Sequence, residues 1–337
     1  MKRVVCLFFT VCLLFSITGC GSPKMQEVSI YAMDTYMTLV AYGKNASAAL
    51  DDSVRAINLL EAEISRTREG SDVDTLNKTG SWSGSAAGTD ATADILTQAL
   101  QYSTETDGLF DVTIAPLVEL WNITGDTPYV PTQEEIDALL PLVGSDHLRV
   151  SGNSATLDDG CAVDLGGIGK GYASDLVHLM MDAHGVESGS ISLGGNVYVC
   201  GTKPDGSPWT VGIQNPEGDG CAAYVRLTNA FAVTSGGYQR FFTADDGTVY
   251  QHIIDPKTGY PAQSDLLSVT VVGKSGTRCD AYSTALYVMG EVGAIDFWRS
   301  MGDFDMVLIT ADGRLLYTPN LTVTNAEGSN YDFQQIS

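Results

Sequence analysis

Asp164-Leu165-Gly166-Gly167-Ile168-Gly169-Lys170-Gly171-Tyr172-Ala173 places four glycines and a lysine between a strand-like run and a helix-like run. Glycines let backbone N–H groups approach an anion closely, and the start of the following helix carries partial positive charge. The lysine adds a mobile full charge. Two readings stand side by side at this point: a cradle for a phosphate, and a tight β–α turn. The spacing fits neither G-x-G-x-x-G nor G-x-x-x-x-G-K-[ST], so neither the dinucleotide fingerprint nor the P-loop supports the phosphate reading.

Outward from this stretch, apolar periodicity alternates between the two regular structures. Residues 28–42 read as two strands around Met33-Asp34-Thr35, and residues 48–65 as a helix with Leu50, Val54, Ile57, Leu60 and Ile64 at helical spacing. Further helices are expected over 90–104 and over 132–140, the latter opened by a Thr132/Glu135 capping box. Beyond it, short strands are expected over 190–200, 209–214, 222–227, 230–234, 249–254 and 267–272, interrupted by helices over 172–184 and 281–289. A C-terminal helix around Phe297 and a strand over 306–309 follow. This is an α+β pattern, mostly antiparallel sheet with flanking helices, in one elaborate domain or two intimately packed subdomains.

The ends and composition locate the chain. Lys2 and Arg3 precede an apolar run from Val4 to Phe15, well short of the ~20 residues a membrane span needs, so residues 1–19 are expected to be a secretory signal. Ile17-Thr18-Gly19-Cys20 resembles a bacterial lipobox, which makes Cys20 the lipid-bearing first residue, residues 20–27 a tether, and 28–337 the folded domain. That implies an exported lipoprotein facing the extracytoplasmic side. Loss of Lys2 and Arg3 takes the formal charge from −23 to −25, a balance that repels nucleic acid and anionic lipid, so attachment falls to the lipid anchor. Cys161, Cys200, Cys221 and Cys279 show no C-x-x-C spacing, which argues against a zinc or redox pair.

Polar residues gather beside glycines in several blocks: Phe110-Asp111-Val112, Ser192 to Asn196, Ser235-Gly236-Gly237-Tyr238, His252 to Pro261, and Cys279 to Thr284. Asp280 and Thr284, four apart on a helix, present two oxygens on one face and suit a hard cation such as Mg²⁺. From these residues alone the commoner reading of Asp280 is a helix N-cap, with Thr284 a half-buried helix residue. His252 is one of four histidines and reads either as a proton acceptor or as a structural histidine bonded to a carbonyl.

Taken in order, Met33-x-Thr35, Ser71 to Asn77, Asp107-Gly-x-Phe110-Asp111, Asp164-Leu-Gly-Gly-Ile-Gly-Lys170-Gly, Gly194-Gly-Asn196, Ser235-Gly-x-Tyr238, His252-Ile253-Ile-Asp255-Pro and Asp280-Ala-x-x-x-Ala285 resemble the ApbE family of FAD:protein FMN transferases. The resemblance spans nearly all of the mature chain. It implies a Mg²⁺-dependent enzyme that cleaves FAD and attaches FMN by a phosphoester bond to a threonine of a partner flavoprotein, releasing AMP. The acceptor would carry a Ser/Thr-Gly-Ala-Thr motif and belong to a membrane redox complex. On this basis Asp280, Thr284 and the Gly167 carbonyl are metal ligands, and Met33, Phe110, Asp111, Val112, Asp164, Lys170, His252 and Ile253 form the flavin nucleotide site. Asn77 bears on the competence of the metal centre, and His252 is the base. The family usually has glycine where this chain has Asp34, and often a second histidine where Gln251 stands. Two alternatives share the same residues: an FAD pyrophosphatase, with water in place of threonine, and a non-catalytic flavin-binding lipoprotein.

Overall fold

The computed structural model describes residues 23–84 and 90–337; the expected signal segment and Cys20 lie outside these residues. Its frame is a nine-stranded sheet. The strands are β1 (Met25–Ala32), β2 (Thr35–Tyr42), β3 (Ser188–Leu193), β4 (Asn196–Gly201) and β5 (Ala230–Gly236). They continue as β6 (Leu266–Gly273), β7 (Asp305–Thr310), β8 (Arg314–Tyr317) and β9 (Asp332–Gln335). In this numbering spatial order equals chain order: β1 to β8 form an antiparallel meander, and β9 adds in parallel. Every other helix and strand of the described residues is inserted between neighbouring strands of this sheet. β1 starts at Met25, so residues 25–27, assigned to the tether by sequence, are paired in the sheet.

Helices α1 (Ala46–Ile64), α2 (Asp72–Thr79), α3 (Ala91–Glu105), α4 (Ala115–Trp121), α5 (Gln133–Leu139) and α6 (Gly169–Ala183) all come from the long insertion between β2 and β3. Helix α7 (Gly276–Met301) lies between β6 and β7. The period-two pattern of the central strands divides the core. Phe231, Val233, Val269, Val271, Met306 and Leu308 turn toward the helices. Ala230, Ala232, Val272, Val307 and Ile309 turn toward a second sheet, built from Trp209–Gln214, Cys221–Leu227 and Val323–Asn325. With both faces covered, β6 is buried almost throughout, Ser268 and Thr270 included.

The α+β architecture expected from the sequence is the one observed, and the differences are local. The segment 190–200 is a hairpin and not one strand, because Gly194 (φ 55°) and Gly195 (φ 92°) make a two-residue turn with both residues left-handed. The strand expected over 249–254 ends at Gln251, where it leaves its hairpin partner Phe241–Thr243. The helices expected over 281–289 and around Phe297 are two parts of α7, broken at Gly290 (φ 72°), where Asp265 accepts the Glu291 N–H at 2.9 Å. The capping box is present with both of its bonds.

Candidate active site

One end of the main sheet collects several of the polar and glycine-bearing turns. There the β1–β2 turn, the β3–β4 turn and the last residues of β5 border a cavity of about 680 Å³. Met33 (φ 49°) and Asp34 (φ 57°) are both left-handed, the geometry a two-residue hairpin turn requires. A non-glycine residue in that region is strained, and short polar aspartate tolerates it better than most. This is the physical reason why glycine is the easier residue at position 34. Glu61 of α1 holds the turn from the other side, accepting the Met33 N–H at 2.7 Å.

The glycine–lysine stretch resolves into the end of a loop and the first turn of α6. Ile168 supplies no side-chain cap. Instead the Gly171 N–H donates to Asp280 Oδ2 at 2.8 Å, across to α7. Gly171 makes this approach possible, since a Cβ there would land on the Gly276 backbone and 2.7 Å from the Asp280 Cβ. Lys170 Nζ lies 3.9 Å from Asp280 Oδ2 and donates to the Gly166 carbonyl at 3.2 Å. The tight-turn and anion-cradle readings are thus compatible: the turn is what aims Lys170 and the helix start into the cavity.

Asp280 is not an N-cap. Ser275 caps α7, accepting the Arg278 N–H, and Asp280 sits a turn further in, 4% exposed. The start of α7 is held by Asp175 of α6, whose carboxylate accepts the N–H groups of Gly276 (2.7 Å) and Thr277 (2.9 Å) and the Thr277 hydroxyl (2.6 Å). Thr284 follows on the same face. Its Oγ1 is 3.4 Å from the Asp280 carbonyl and 3.4 Å from Ser235 Oγ of β5, and a Cβ on Gly167 would approach it to 3.7 Å. Asp280, Thr284 and Gly167, separate in sequence, therefore share one wall of the cavity. Among the described residues no group of three or more His, Cys, Asp or Glu side chains could hold a metal. A cation here would rest on one carboxylate with hydroxyl and carbonyl oxygens, a donor set that fits Mg²⁺ and leaves coordination positions for phosphate oxygens.

His252 follows Gln251 out of its strand. Its Nδ1 lies 3.1 Å from the Arg240 carbonyl, an acceptor, so Nδ1 carries the proton and Nε2 keeps its lone pair, in a ring that lines the cavity. Burial, with Arg240 and Lys170 nearby, pushes the imidazole down to about 4 and holds it neutral at pH 7. The carbonyl bond of the structural reading is made by Nδ1 alone. Gln251 is buried and grips the next turn of chain: it accepts the Ile253 N–H at 2.6 Å and donates to the carbonyls of Ile253 (2.9 Å) and Ala262 (3.0 Å).

The remaining expected residues divide. Met33, Phe110, Asp111, Asp164 and Ile253 line the cavity. Asp111 is also committed to structure, accepting from Thr113 N, Thr113 Oγ1 and Ser103 Oγ at 2.8, 2.6 and 3.0 Å. Val112 and Asn77 are not on the lining. Val112 anchors the loop through its carbonyl, which accepts the Asp164 N–H at 2.7 Å. Asn77 pairs both ends of its amide with the Val163 backbone (2.9 and 2.8 Å), mimicking a strand neighbour one residue before Asp164.

Sequence reasoning passed over Glu61, Arg66 and Arg240. Arg66 bridges two carboxylates, with Nε 3.0 Å from Asp164 and Nη1 2.8 Å from Glu119. Asp164 in turn accepts the Gly166 N–H at 2.7 Å, so Arg66 steadies the glycine loop through Asp164. Scarcity was the available signal, for arginine and lysine total 18 against 41 acidic residues.

A long, mostly antiparallel sheet with helices on one face carries at its turn end a cavity lined by a lysine, a buried carboxylate and close-packed glycines. The sequence model of the ApbE family matches residues 33–308, and the chain belongs to that family. It is 32% identical to an FAD:protein FMN transferase of Vibrio cholerae over 291 residues, covering 82% of this chain and 86% of the relative. It is 30% identical to one from Treponema pallidum, covering 90% and 91%. Among solved structures, the ApbE protein of Thermotoga maritima superposes with a TM-score of 0.79 at 29% identity, over 90% of this chain and 97% of that one. The flavin transferase ApbE of Vibrio cholerae gives 0.76 at 26%, over 91% and 98%.

Proposed function

We propose that this chain is an FAD:protein FMN transferase that uses Mg²⁺, attaches FMN through a phosphoester bond to a threonine of an acceptor flavoprotein, and releases AMP. The observation that carries this reading is the crossing of α6 and α7, which sets Lys170, Asp280, Gly167 and Thr284 on one cavity wall with His252 on the same cavity. The names of the family relatives support it. In the transfer, the threonine oxygen forms a bond to the flavin-side phosphorus while the bond from that phosphorus to the bridging oxygen breaks, and AMP leaves with the electron pair. Such displacements depend on alignment and charge stabilisation more than on covalent help. Bound Mg²⁺ would neutralise phosphate oxygens, held by Asp280, Thr284 and the Gly167 carbonyl. Lys170, tethered through Gly166 and Asp280, swings its ammonium to the leaving phosphate. His252 Nε2 accepts the threonine proton, and a weak base suffices where bond breaking leads bond making.

The protein is further proposed to act as an exported lipoprotein anchored through Cys20, on an acceptor with a Ser/Thr-Gly-Ala-Thr motif. The support is the N-terminal sequence alone, and among the described residues no helix is long and apolar enough to cross a membrane. Incubation with FAD, Mg²⁺ and a protein bearing that motif should yield a fluorescent covalent adduct and AMP in equal amounts. AMP and free FMN appearing equally fast without acceptor would replace this reading with the pyrophosphatase.

A further inference from the structure

We propose that two hairpins beside the cavity mouth form the docking surface for the acceptor protein, gripping the chain that flanks its target hydroxyl. The proposal rests on the transferase reading and adds to it where the macromolecular substrate binds. The first hairpin is β1–β2. Tyr31 and Tyr36 face each other across it, next to the Met33-Asp34 turn that lines the cavity, with ring centroids 5.2 Å apart. They are 62% and 80% exposed, on the face of β1–β2 turned away from the helix-side core, where the second sheet reaches only the far end of β2 through Trp209 on Tyr42.

The second hairpin joins Phe241–Thr243 to Val249–Gln251 and grows directly from the cavity wall, with Arg240 and His252 at its base. Its inner face packs Phe242 on Tyr250, centroids 5.4 Å apart, against the cluster of Trp121 and Ile254. Its outer face carries Phe241 and Val249, which share a side by register and are 53% and 58% exposed. Among the described residues this hairpin pairs with no other strand, so its edges keep free backbone groups.

Arg240 connects the two, its Nη2 reaching the Asp34 carbonyl at 3.4 Å. Aromatic and aliphatic side chains on both sides of one opening are the composition of a protein-binding surface and not of a solvated rim. A small nucleotide enclosed in the cavity has no use for them, whereas a threonine delivered on a protein must bring its flanking residues over this ground. In an acidic molecule an apolar patch is also the means of gripping a partner without charge attraction. The open edge allows the acceptor segment to add as a further strand, placing alternate side chains toward the cavity.

The test compares wild type with the double variants Tyr31→Ser/Tyr36→Ser and Phe241→Ser/Val249→Ser, none of which touches the cavity. FMN transfer to a folded protein carrying the Ser/Thr-Gly-Ala-Thr motif is measured against acceptor concentration, together with FAD affinity by flavin fluorescence and oligomeric state by sedimentation. The expected result is an acceptor KM raised about tenfold or more in each double variant, with FAD affinity and thermal midpoint kept. An unchanged acceptor KM beside an active wild type overturns the docking surface and leaves the transferase reading intact. Loss of a dimer in the variants with transfer retained would assign the patch to a second copy of this chain and likewise overturn it. A wild type that flavinylates no acceptor overturns both.

Discussion

The Gly171 amide donates to Asp280 Oδ2 at 2.8 Å, tying the first turn of α6 to the second turn of α7. This bond fixes one carboxylate oxygen and so aims the other, and it couples the glycine–lysine turn to Asp280 and Thr284.

Asp280→Ala and Asp280→Asn are expected to separate its two duties. The asparagine oxygen can still accept from Gly171, so this variant should keep its thermal midpoint while Mg²⁺ affinity and activity collapse together. The alanine variant should also lose stability, on the order of 1–3 kcal/mol, from the buried donor left unpaired. Calorimetric Mg²⁺ titration with denaturant unfolding reads both. An asparagine variant that retains Mg²⁺-dependent activity would return Asp280 to a purely structural role.

Gly171→Ala should destabilise the protein by about 1–3 kcal/mol through overpacking at the helix crossing. It should weaken Mg²⁺ binding as well, because the added methyl pushes α7 away. Gly302→Ala, where a Cβ meets nothing within 4 Å but φ is 68°, is the control. It should cost stability through backbone strain alone, with Mg²⁺ affinity unchanged. Denaturant unfolding and calorimetric Mg²⁺ titration of the two variants make the comparison.

His252 should stay neutral across the physiological range. With its folded value pushed down to about 4 from the ordinary 6.5, protonation favours the unfolded chain. Its contribution to stability is therefore full above about pH 6.5 and is lost as pH falls toward 4. NMR titration of the ring protons should find one histidine with a midpoint near 4, absent in His252→Ala. A midpoint near 6.5 would show that the ring is not desolvated by burial, although Nε2 would still be mostly unprotonated at pH 7.

Arg66→Gln should raise the KM for FAD about tenfold with a smaller effect on turnover, since the arginine acts through Asp164 on the glycine loop. Arg66→Lys should rescue only partly, because a lysine cannot bridge Asp164 and Glu119 with separate nitrogens of a planar fork. Steady-state kinetics with FAD as the varied substrate separate the two effects.

Gln251→Leu should lose about 1–3 kcal/mol of stability, because the Ile253 N–H and the Ala262 carbonyl lose their partner. Chemical denaturation measures the loss. Gln251→Glu keeps the acceptor for Ile253 but turns the donating nitrogen into an oxygen repelled by the Ile253 and Ala262 carbonyls, and should be no better.

Local chemistry alone determined much of this protein. The capping box of α5 and the helical spacing of α1 are contained within a few residues each, and so were legible in the amino-acid sequence. The same holds for the β1–β2 turn, whose left-handed pair is a matter of neighbouring sterics. The ordered blocks from Met33 to Ala285 carried the family in the same way. What only the tertiary structure decided involves residues more than eighty positions apart. No periodicity encodes that Gly171 meets Asp280, that Asp175 caps the start of α7, or that Gly276 must be small where two helices cross. Nor could spacing show that Asn77 spends its amide on the Val163 backbone, since a buried amide is committed by whichever backbone groups packing leaves unpaired. Gln251 is the near-range case of the same rule, clamping Ile253 and Ala262 where its strand has lost its partner. Secondary structure is a balance of near neighbours; a site is made where distant neighbours are forced to share buried space.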